Sequence, residues 1–351
     1  MANTRITDRF SVKRRIGAGT YGVVLESTDL VNNSRPVALK IFQANRQESM
    51  DHERYILGRL RRLHESRNSH IYPHAPTVQL IESFRWRGLS ILVMELLGPS
   101  LFHAVEPDAT LGNWLSVANI KIICCDVLDA LSFLKTARII HADVKPDNVA
   151  VRSVDTTGRI HVKLIDFGQA VEVPQHAKEV EYSTDCVPQT LSYRAPELLL
   201  LVPSYGFAVD VWSAACVICW LLRARKACSP RTLFSAADAE GVLHAVAKML
   251  GPPPACSAFA TVDLDHEKFY HGDRQAETTD QPHRLMAKLH LAEDELGFVV
   301  VLLNCLSWDP SKRSTAREAF VEMKRLIPID SAVRFIVVHL TIISGFTSAG
   351  A

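Results

Sequence analysis

"IIHADVKPDNVAV", residues 139–151, sets an acid, an ammonium and an amide (Asp143, Lys145 and Asn148) between two β-branched runs. The runs, Ile139–Ile140 and Val149 with Val151, predict short strands, so the polar residues belong to the loop between them. On such a loop Asp143 can accept a hydroxyl proton and Lys145 can stabilise charge on a transferring phosphoryl group. Asn148 can ligate a divalent cation through its amide oxygen. Two plainer readings stand beside this one: a polar turn with an Asx cap, or a metal pair made by His141 and Asp143.

Downstream, "VKLIDFGQA" carries Asp166 after a β run and before Phe167–Gly168. The glycine is expected to allow a sharp change of direction, and an aspartate there can hold a cation that bridges phosphates; alone, the tripeptide is a common turn. Upstream, "IGAGTYGVV" (residues 16–24) holds Gly17, Gly19 and Gly22. A dinucleotide site would need a helix to begin at these glycines. Val23–Val24 and "LEST" follow instead, so the chain reads strand–turn–strand, a glycine-rich hairpin whose backbone N–H groups can approach phosphates. Lys40 ends the alternating "PVALK", where a lone lysine would ordinarily snorkel to solvent. On the helix that follows, Glu53 can face back and hold that lysine; Glu48 is the alternative partner.

At 351 residues the chain is long enough for two packed lobes. With 48% hydrophobic and 22% charged residues it has a globular composition, and a net charge of +1 gives no overall case for nucleic-acid or membrane binding. The eight scattered cysteines do not suggest a disulfide framework. Cys216 and Cys219 lie in an apolar helical run and read as buried rather than zinc-binding. A reducing compartment, cytoplasm or nucleus, is expected, and the start "MANTRITDRF" has no secretory pattern. "FIVVHLTIISGF" (residues 335–346) is apolar but shorter than the roughly 20 residues that span a bilayer.

The organisation changes along the chain. Strand-like alternation dominates up to about residue 97, interrupted by the helical "SMDHERYILGRLRRLHE". Beyond it come long apolar helices, "VANIKIICCDVLDALSFLKTA", "VDVWSAACVICWLL", "EGVLHAVAKMLG" and "ELGFVVVLLNCLSW". An aperiodic insert interrupts them, and the polar "RNSHIYPHAP" (residues 67–76) is an extra loop in the first part. The fold class is α+β: a small β-rich lobe with one main helix, then a larger, mostly helical lobe.

The order and spacing of these motifs resemble the eukaryotic protein kinase fold over residues 10–326, with an N-lobe to about 97, a C-lobe from about 98 and an insert near 252–290. Residues 327–351 form a tail without assigned role. The resemblance implies ATP and Mg²⁺ as cofactors, with Asp143, Lys145, Lys40 and Glu53 catalytic and Asn148 and Asp166 holding metal. It places Met94 as gatekeeper, Glu95 to Leu97 as the adenine-binding hinge, and Ile16, Val24, Ala38 and Ala150 as walls around the purine. The activation segment would begin at Asp166, Phe167 and Gly168 and close at Ala195–Pro196–Glu197. Arg313 would pair with that glutamate, and Asp210 in "DVWSAAC" would be buried.

"YRAPELLL", with Tyr193–Arg194, and the insert after "MLGPPP" resemble the CMGC group. "ELLGPSLF", "LHAVAKMLGPPP" and "EKFYHGDRQ" resemble its LAMMER and SR-protein kinase branch. Ala142 stands where most kinases carry an arginine that couples a phosphorylated segment to the catalytic aspartate. Its lack of charge implies a segment competent as synthesised, although Tyr182, Ser183 and Thr184 offer hydroxyls. Thr190 is expected to be structural, beside Asp143 and Lys145. The implied partners are protein substrates with Ser or Thr acceptors, Arg/Ser-rich splicing proteins among them, acted on by a monomer with no direct nucleic-acid or membrane contact. Two alternatives remain open: a pseudokinase scaffold that binds without transfer, and a small-molecule phosphotransferase of related fold.

Overall fold

The computed structural model describes residues 5–19, 22–66, 74–106, 114–181, 187–228, 231–259 and 280–328. Tyr182, Ser183, Thr184, most of the insert, the head of the polar loop at residues 67–73 and the apolar stretch 335–346 lie outside them.

Six antiparallel strands build the first lobe: β1 (Arg5–Ile6), β2 (Phe10–Gly19), β3 (Gly22–Asp29), β4 (Arg35–Phe42), β5 (Leu80–Trp86) and β6 (Leu89–Glu95). They pair in the order β1-β2-β3-β4-β6-β5. The alternation of β4 explains how both faces are used. Val37 and Leu39 join Ile6, Phe10, Ile91 and Val93 in an outer core. Ala38 and Phe42 turn inward with Leu92 and Met94 and merge with the core that runs into the second lobe. Helix α1 (Gln47–Ser66) buries Met50, Glu53, Ile56, Leu57 and Leu60, one stripe at helical spacing. Strand β4 runs past Lys40 to Phe42, so the lysine lies within the sheet rather than at the strand end.

The second lobe begins with α2 (Leu101–Ala104) and α3 (Val117–Ala137), the latter N-capped by Ser116, whose hydroxyl accepts the Asn119 N–H. Two short ribbons follow: β7 (Ile139–Ile140) pairs with β10 (Val171–Glu172), and β8 (Val149–Val154) with β9 (Ile160–Leu164). The two runs flanking the opening loop are thus strands of different ribbons, and the loop bridges them. Strand β11 (Val180–Glu181) pairs with β12 (Ser204–Tyr205) beside α4 (Pro196–Leu199).

Helix α5 (Ala208–Ala224) is the centre of the lobe, with every residue from Val209 to Arg223 buried. A helix that is apolar all round must be enclosed, and Cys216 and Cys219 are free thiols inside it. Against it pack α3, α7 (Gln281–Leu289) and α8 (Leu296–Cys305), with α6 (Ala239–Leu250) on α7 and α9 (Ala316–Arg325) on α3. Gly251 ends α6 at φ 82°, and a Thr315–Glu318 capping box opens α9. No helix among the described residues is long and apolar enough to cross a membrane.

Candidate active site

The loop between β7 and β8 is fixed from beneath. Asp210, buried at the start of α5, accepts the N–H groups of His141 (2.7 Å) and Ala142 (3.0 Å). Burial pushes its carboxyl up, against the pull of His141 and the two amide bonds. His141 donates from Nε2 to the Ile165 carbonyl (3.0 Å), and its Nδ1 accepts the Asp143 N–H (3.3 Å). Its ring packs on Phe167 at 4.8 Å. Both nitrogens are committed and the residue is fully buried, so the metal-pair reading of His141 and Asp143 falls. Among the described residues no cluster of three His, Cys, Asp or Glu could hold a metal.

The polar residues of the loop converge on one carboxylate. Asp143 Oδ2 meets Lys145 Nζ at 2.8 Å and accepts from Asn148 Nδ2 at 3.0 Å. Its Oδ1 accepts the Thr190 hydroxyl at 3.0 Å, and that hydroxyl accepts from Lys145 Nζ at 3.2 Å. Asn148 also donates to the Asp143 carbonyl (2.8 Å), from a 3-10 turn at Pro146–Asn148. The Asx-turn alternative describes this local geometry but not the partnership with Thr190, 47 residues away.

A second polar cluster lies across the cleft. Lys40 Nζ reaches both oxygens of Glu53 (2.8 and 2.6 Å) and Asp166 Oδ1 (2.8 Å). Glu53 is the partner, while Glu48 lies in the first turn of α1. Burial opposes charge on Lys40, but the two carboxylates prevail and hold its ammonium above the ordinary lysine range. Burial pushes Glu53 up, aided by Asp166 and resisted by Lys40. The two shifts pull against each other; two short bonds from one ammonium to both Glu53 oxygens favour the ion pair. Burial also opposes ionisation of Asp166, yet Lys40 outweighs it, so Asp166 titrates below its usual range. Asp166 itself is left-handed at φ 60°, and the chain then turns at Gly168–Gln169, closed by the Ala170 N–H donating to the Phe167 carbonyl (3.1 Å).

The hairpin and hinge close the cleft above. Strand register sets Val24 opposite Lys40 and Ala38 opposite Met94, so these residues share one face of the sheet. The glycines divide by cause. A Cβ on Gly22 would meet the Ile41 carbonyl oxygen at 1.9 Å, which is a packing reason. Gly19 has nothing within 4 Å and leaves backbone open to a ligand; Gly17 packs on Val24, and Ile16 borders the core. Glu95 is pinned by Lys163 (2.6 Å) and the Gln79 N–H (2.8 Å). Leu97 is half-buried, and beyond it Gly98 donates to Val151 O while Val151 donates to Pro99 O, which brings buried Ala150 beneath the hinge.

The far end of the segment is locked by a buried ion pair: Arg313 meets both Glu197 oxygens at 2.8 and 3.0 Å, next to Ala195 and Pro196. A cavity of about 590 Å³ opens beneath this pair, beside Tyr205 and Phe207. Neither Asp143, Lys40 nor Asp166 lines it, so cavity volume does not locate the polar clusters.

Two oxygen donors suit a hard divalent cation. Asn148 spends its Nδ2 on Asp143, and no described residue donates to its Oδ1. Asp166 favours its ionised form and is 39% exposed. The Ile165 N–H donates to Asn148 O (2.9 Å), which ties the two segments side by side. Amide and carboxylate oxygens completed by phosphate and water are the usual ligand set of Mg²⁺.

Gln189 is the residue that sequence reasoning misses. It is buried at φ 68°, and every polar atom is used. Its N–H donates to Ala142 O, its Nε2 to Val209 O and Ser213 Oγ, and its Oε1 accepts the Ala195 N–H. Its carbonyl accepts from Arg194 at 2.7 Å. Nothing in "CVPQTLSY" marks it except its place before Thr190. Lys163 is likewise unmarked, a buried lysine within an alternating strand.

Comparison with known proteins agrees with this geometry. The protein kinase domain model matches residues 10–323. Serine/threonine-protein kinase ppk5 of Schizosaccharomyces pombe is 29% identical, over 89% of this chain and 35% of its own length. Human dual specificity tyrosine-phosphorylation-regulated kinase 4 is 28% identical, over 90% and 57%. Cell division control protein 2 homolog 3 of Trypanosoma brucei brucei is 32% identical, over 70% and 71%. The chain thus spans between 35% and 57% of the length of the first two. From the matched domain and these relatives, the chain belongs to the protein kinase domain family, in its CMGC group.

Proposed function

We propose that the chain is a serine/threonine protein kinase that transfers the γ-phosphoryl group of ATP to protein hydroxyls. The observation that carries this reading is the Lys40–Glu53–Asp166 cluster, formed between residues up to 126 positions apart and facing the Asp143 loop. In this reading Asp143 accepts the substrate hydroxyl proton, and Lys145 and Lys40 neutralise charge on the transferred group and its neighbours. Asn148 Oδ1 and Asp166 would hold Mg²⁺, which when bound neutralises phosphate charge. Gly17 and Gly19 cover the phosphates. Ile16, Val24, Ala38, Met94 and Ala150 wall the base, with the Glu95–Leu97 backbone beside it. Complete polar clusters argue against the scaffold alternative.

The substrate class divides two readings. Resemblance to the LAMMER and SR-protein kinase branch favours Arg/Ser-rich proteins. The geometry beside Thr190 favours another. Arg194 donates to the carbonyls of Pro188 (3.1 Å) and Gln189 (2.7 Å), so each already has a donor and is a weaker acceptor for a peptide N–H. A proline after the acceptor has no N–H to leave unpaired. Seven free cysteines among the described residues suit a reducing compartment, cytoplasm or nucleus, and a monomer is the simplest state. Transfer onto an Arg-Ser repeat peptide and a Ser-Pro peptide, side by side with Mg²⁺ and ATP, tests the assignment. Preference for Arg-Ser supports the branch, preference for Ser-Pro supports the carbonyl argument, and transfer to neither overturns the kinase reading.

A further inference from the structure

The inner face of α1 holds Glu53 on Lys40. The stripe beside it carries His52, Tyr55 and Arg59, at i, i+3 and i+7, and all three reach past the first lobe. His52 Nε2 donates to the Ala170 carbonyl at 2.8 Å. The Tyr55 hydroxyl donates to Glu172 Oε2 at 3.0 Å, and Arg59 lies 2.6 Å from Glu172 Oε1. The Arg59 contact is charge pairing rather than an aligned hydrogen bond, since that nitrogen's N–H does not point at the carboxylate. Arg59 also donates to Ala137 O at 3.2 Å, at the end of α3.

Glu172 itself is held in place. It sits in β10, four residues beyond Phe167–Gly168, opposite Ile139 of the ribbon that leads into the Asp143 loop. The next turn is tied to the same ribbon by Arg138, whose Nε donates to Val173 O (3.0 Å) and whose Nη2 donates to the carbonyls of Pro174 and Ala177. Every partner in this set is a side chain or a backbone group of the chain itself. Ala142, without a charge, contributes nothing to it.

We propose that Glu172 is a positioning residue: its carboxylate, paired with Arg59 and Tyr55, holds α1 to the activation segment and so keeps Glu53 on Lys40 without any added phosphate. The proposal rests on the kinase reading for its effect on turnover, but its structural half stands apart from it. Glu172 is 42% and Arg59 23% exposed, so the ion pair alone is weak and partly screened. Its leverage comes from being networked with Tyr55 and from bridging the two lobes.

The test uses the purified full chain, treated with phosphatase, and its Glu172→Gln, Glu172→Asp and Arg59→Gln variants. Turnover, the KM for the peptide and amide hydrogen exchange along α1 are read together. Phosphatase treatment is expected to leave wild-type turnover unchanged. Glu172→Gln should lower kcat about five- to tenfold with KM for the peptide unchanged, and speed exchange in α1 while α3 and α5 stay protected. Arg59→Gln should do the same, and Glu172→Asp should recover part of the loss. Joint reversal, Glu172→Arg with Arg59→Glu, should restore α1 protection that either single reversal removes. Unchanged α1 exchange in Glu172→Gln, or loss of turnover on phosphatase treatment, overturns the proposal. Should the wild type transfer no phosphate, the kinase reading fails and α1 exchange alone decides whether Glu172 positions the helix.

Discussion

The cluster around Asp143 and the cluster around Lys40 are built in opposite ways. Asp143, Lys145 and Asn148 lie within six consecutive residues, and their contacts follow from one 3-10 turn and the Asp210 anchor. Lys40, Glu53 and Asp166 come from a strand, a helix and a loop in different parts of the chain. The first is built wholly within the second lobe, with Thr190 and Asp210 as its only distant partners named above. The second exists only while α1 and the loop carrying Asp166 are both in place, so it reports the arrangement of the whole molecule. A centre built within one lobe, completed by one that draws on both, is a natural place for control.

Substitutions that separate the two clusters carry the largest expected effects. Asp143→Asn should lower phosphoryl transfer by about 10³-fold, within the range for loss of a positioned base, and leave ATP affinity unchanged. Glu53→Gln should lower transfer by about 10²-fold and also weaken ATP binding, because Lys40 loses the carboxylate that aims it. Equal loss of ATP affinity in both variants would erase the distinction. A kcat/KM and Kd series on the two proteins checks it.

Stability offers a sharper version of the same contrast. Arg313→Met leaves buried Glu197 unpaired and should cost about 3–5 kcal/mol in chemical denaturation, with much of it recovered when Glu197 is also replaced by leucine. Acid should act on the depressed carboxylates. Asp29, hydrogen-bonded by Arg9, and Asp166, held by Lys40, both titrate below their ordinary value. Their contribution is complete above that ordinary value and is lost as pH falls through the lowered one. Asp29→Asn should therefore start less stable at neutral pH and lose less between pH 5 and pH 2, read as the slope of Tm against pH.

The smallest effect should be at Ala142. At φ 62° it is in the left-handed region, which costs a non-glycine residue roughly 1 kcal/mol. Ala142→Gly should stabilise by up to about that amount and leave transfer within about twofold of wild type, since the amide bonds to Asp210 and Gln189 are made by the backbone. A destabilised Ala142→Gly would show that the methyl group's packing outweighs the strain.

Much of this molecule could be read from residue order, and the rest follows a physical divide. The lobes were legible because alternation in "PVALKIF" and the unbroken apolar run of α5 each permit one kind of element. The Asp143 loop was legible because its members are contiguous. Glu53 was legible only as one of two glutamates on α1, and three-dimensional packing chose between them. Left-handed backbone at Ala142, Asp166 and Gln189 left no trace, because none is a glycine, whereas the turn at Gly168 was marked by its glycine. Gln189 and Lys163 act through partners distant in sequence, which a single chain does not reveal. The His52–Tyr55–Arg59 stripe was visible as spacing, but only the fold shows that Glu172 lies opposite it.

One measurement bears most directly on the account: ATP binding and γ-phosphoryl transfer to a serine peptide, followed in parallel on the purified wild-type protein and on Asp143→Asn. The account predicts equal ATP affinity in the two, with transfer by the wild type alone. Transfer by Asp143→Asn at the wild-type rate, or ATP binding by a wild type that transfers nothing, would contradict it.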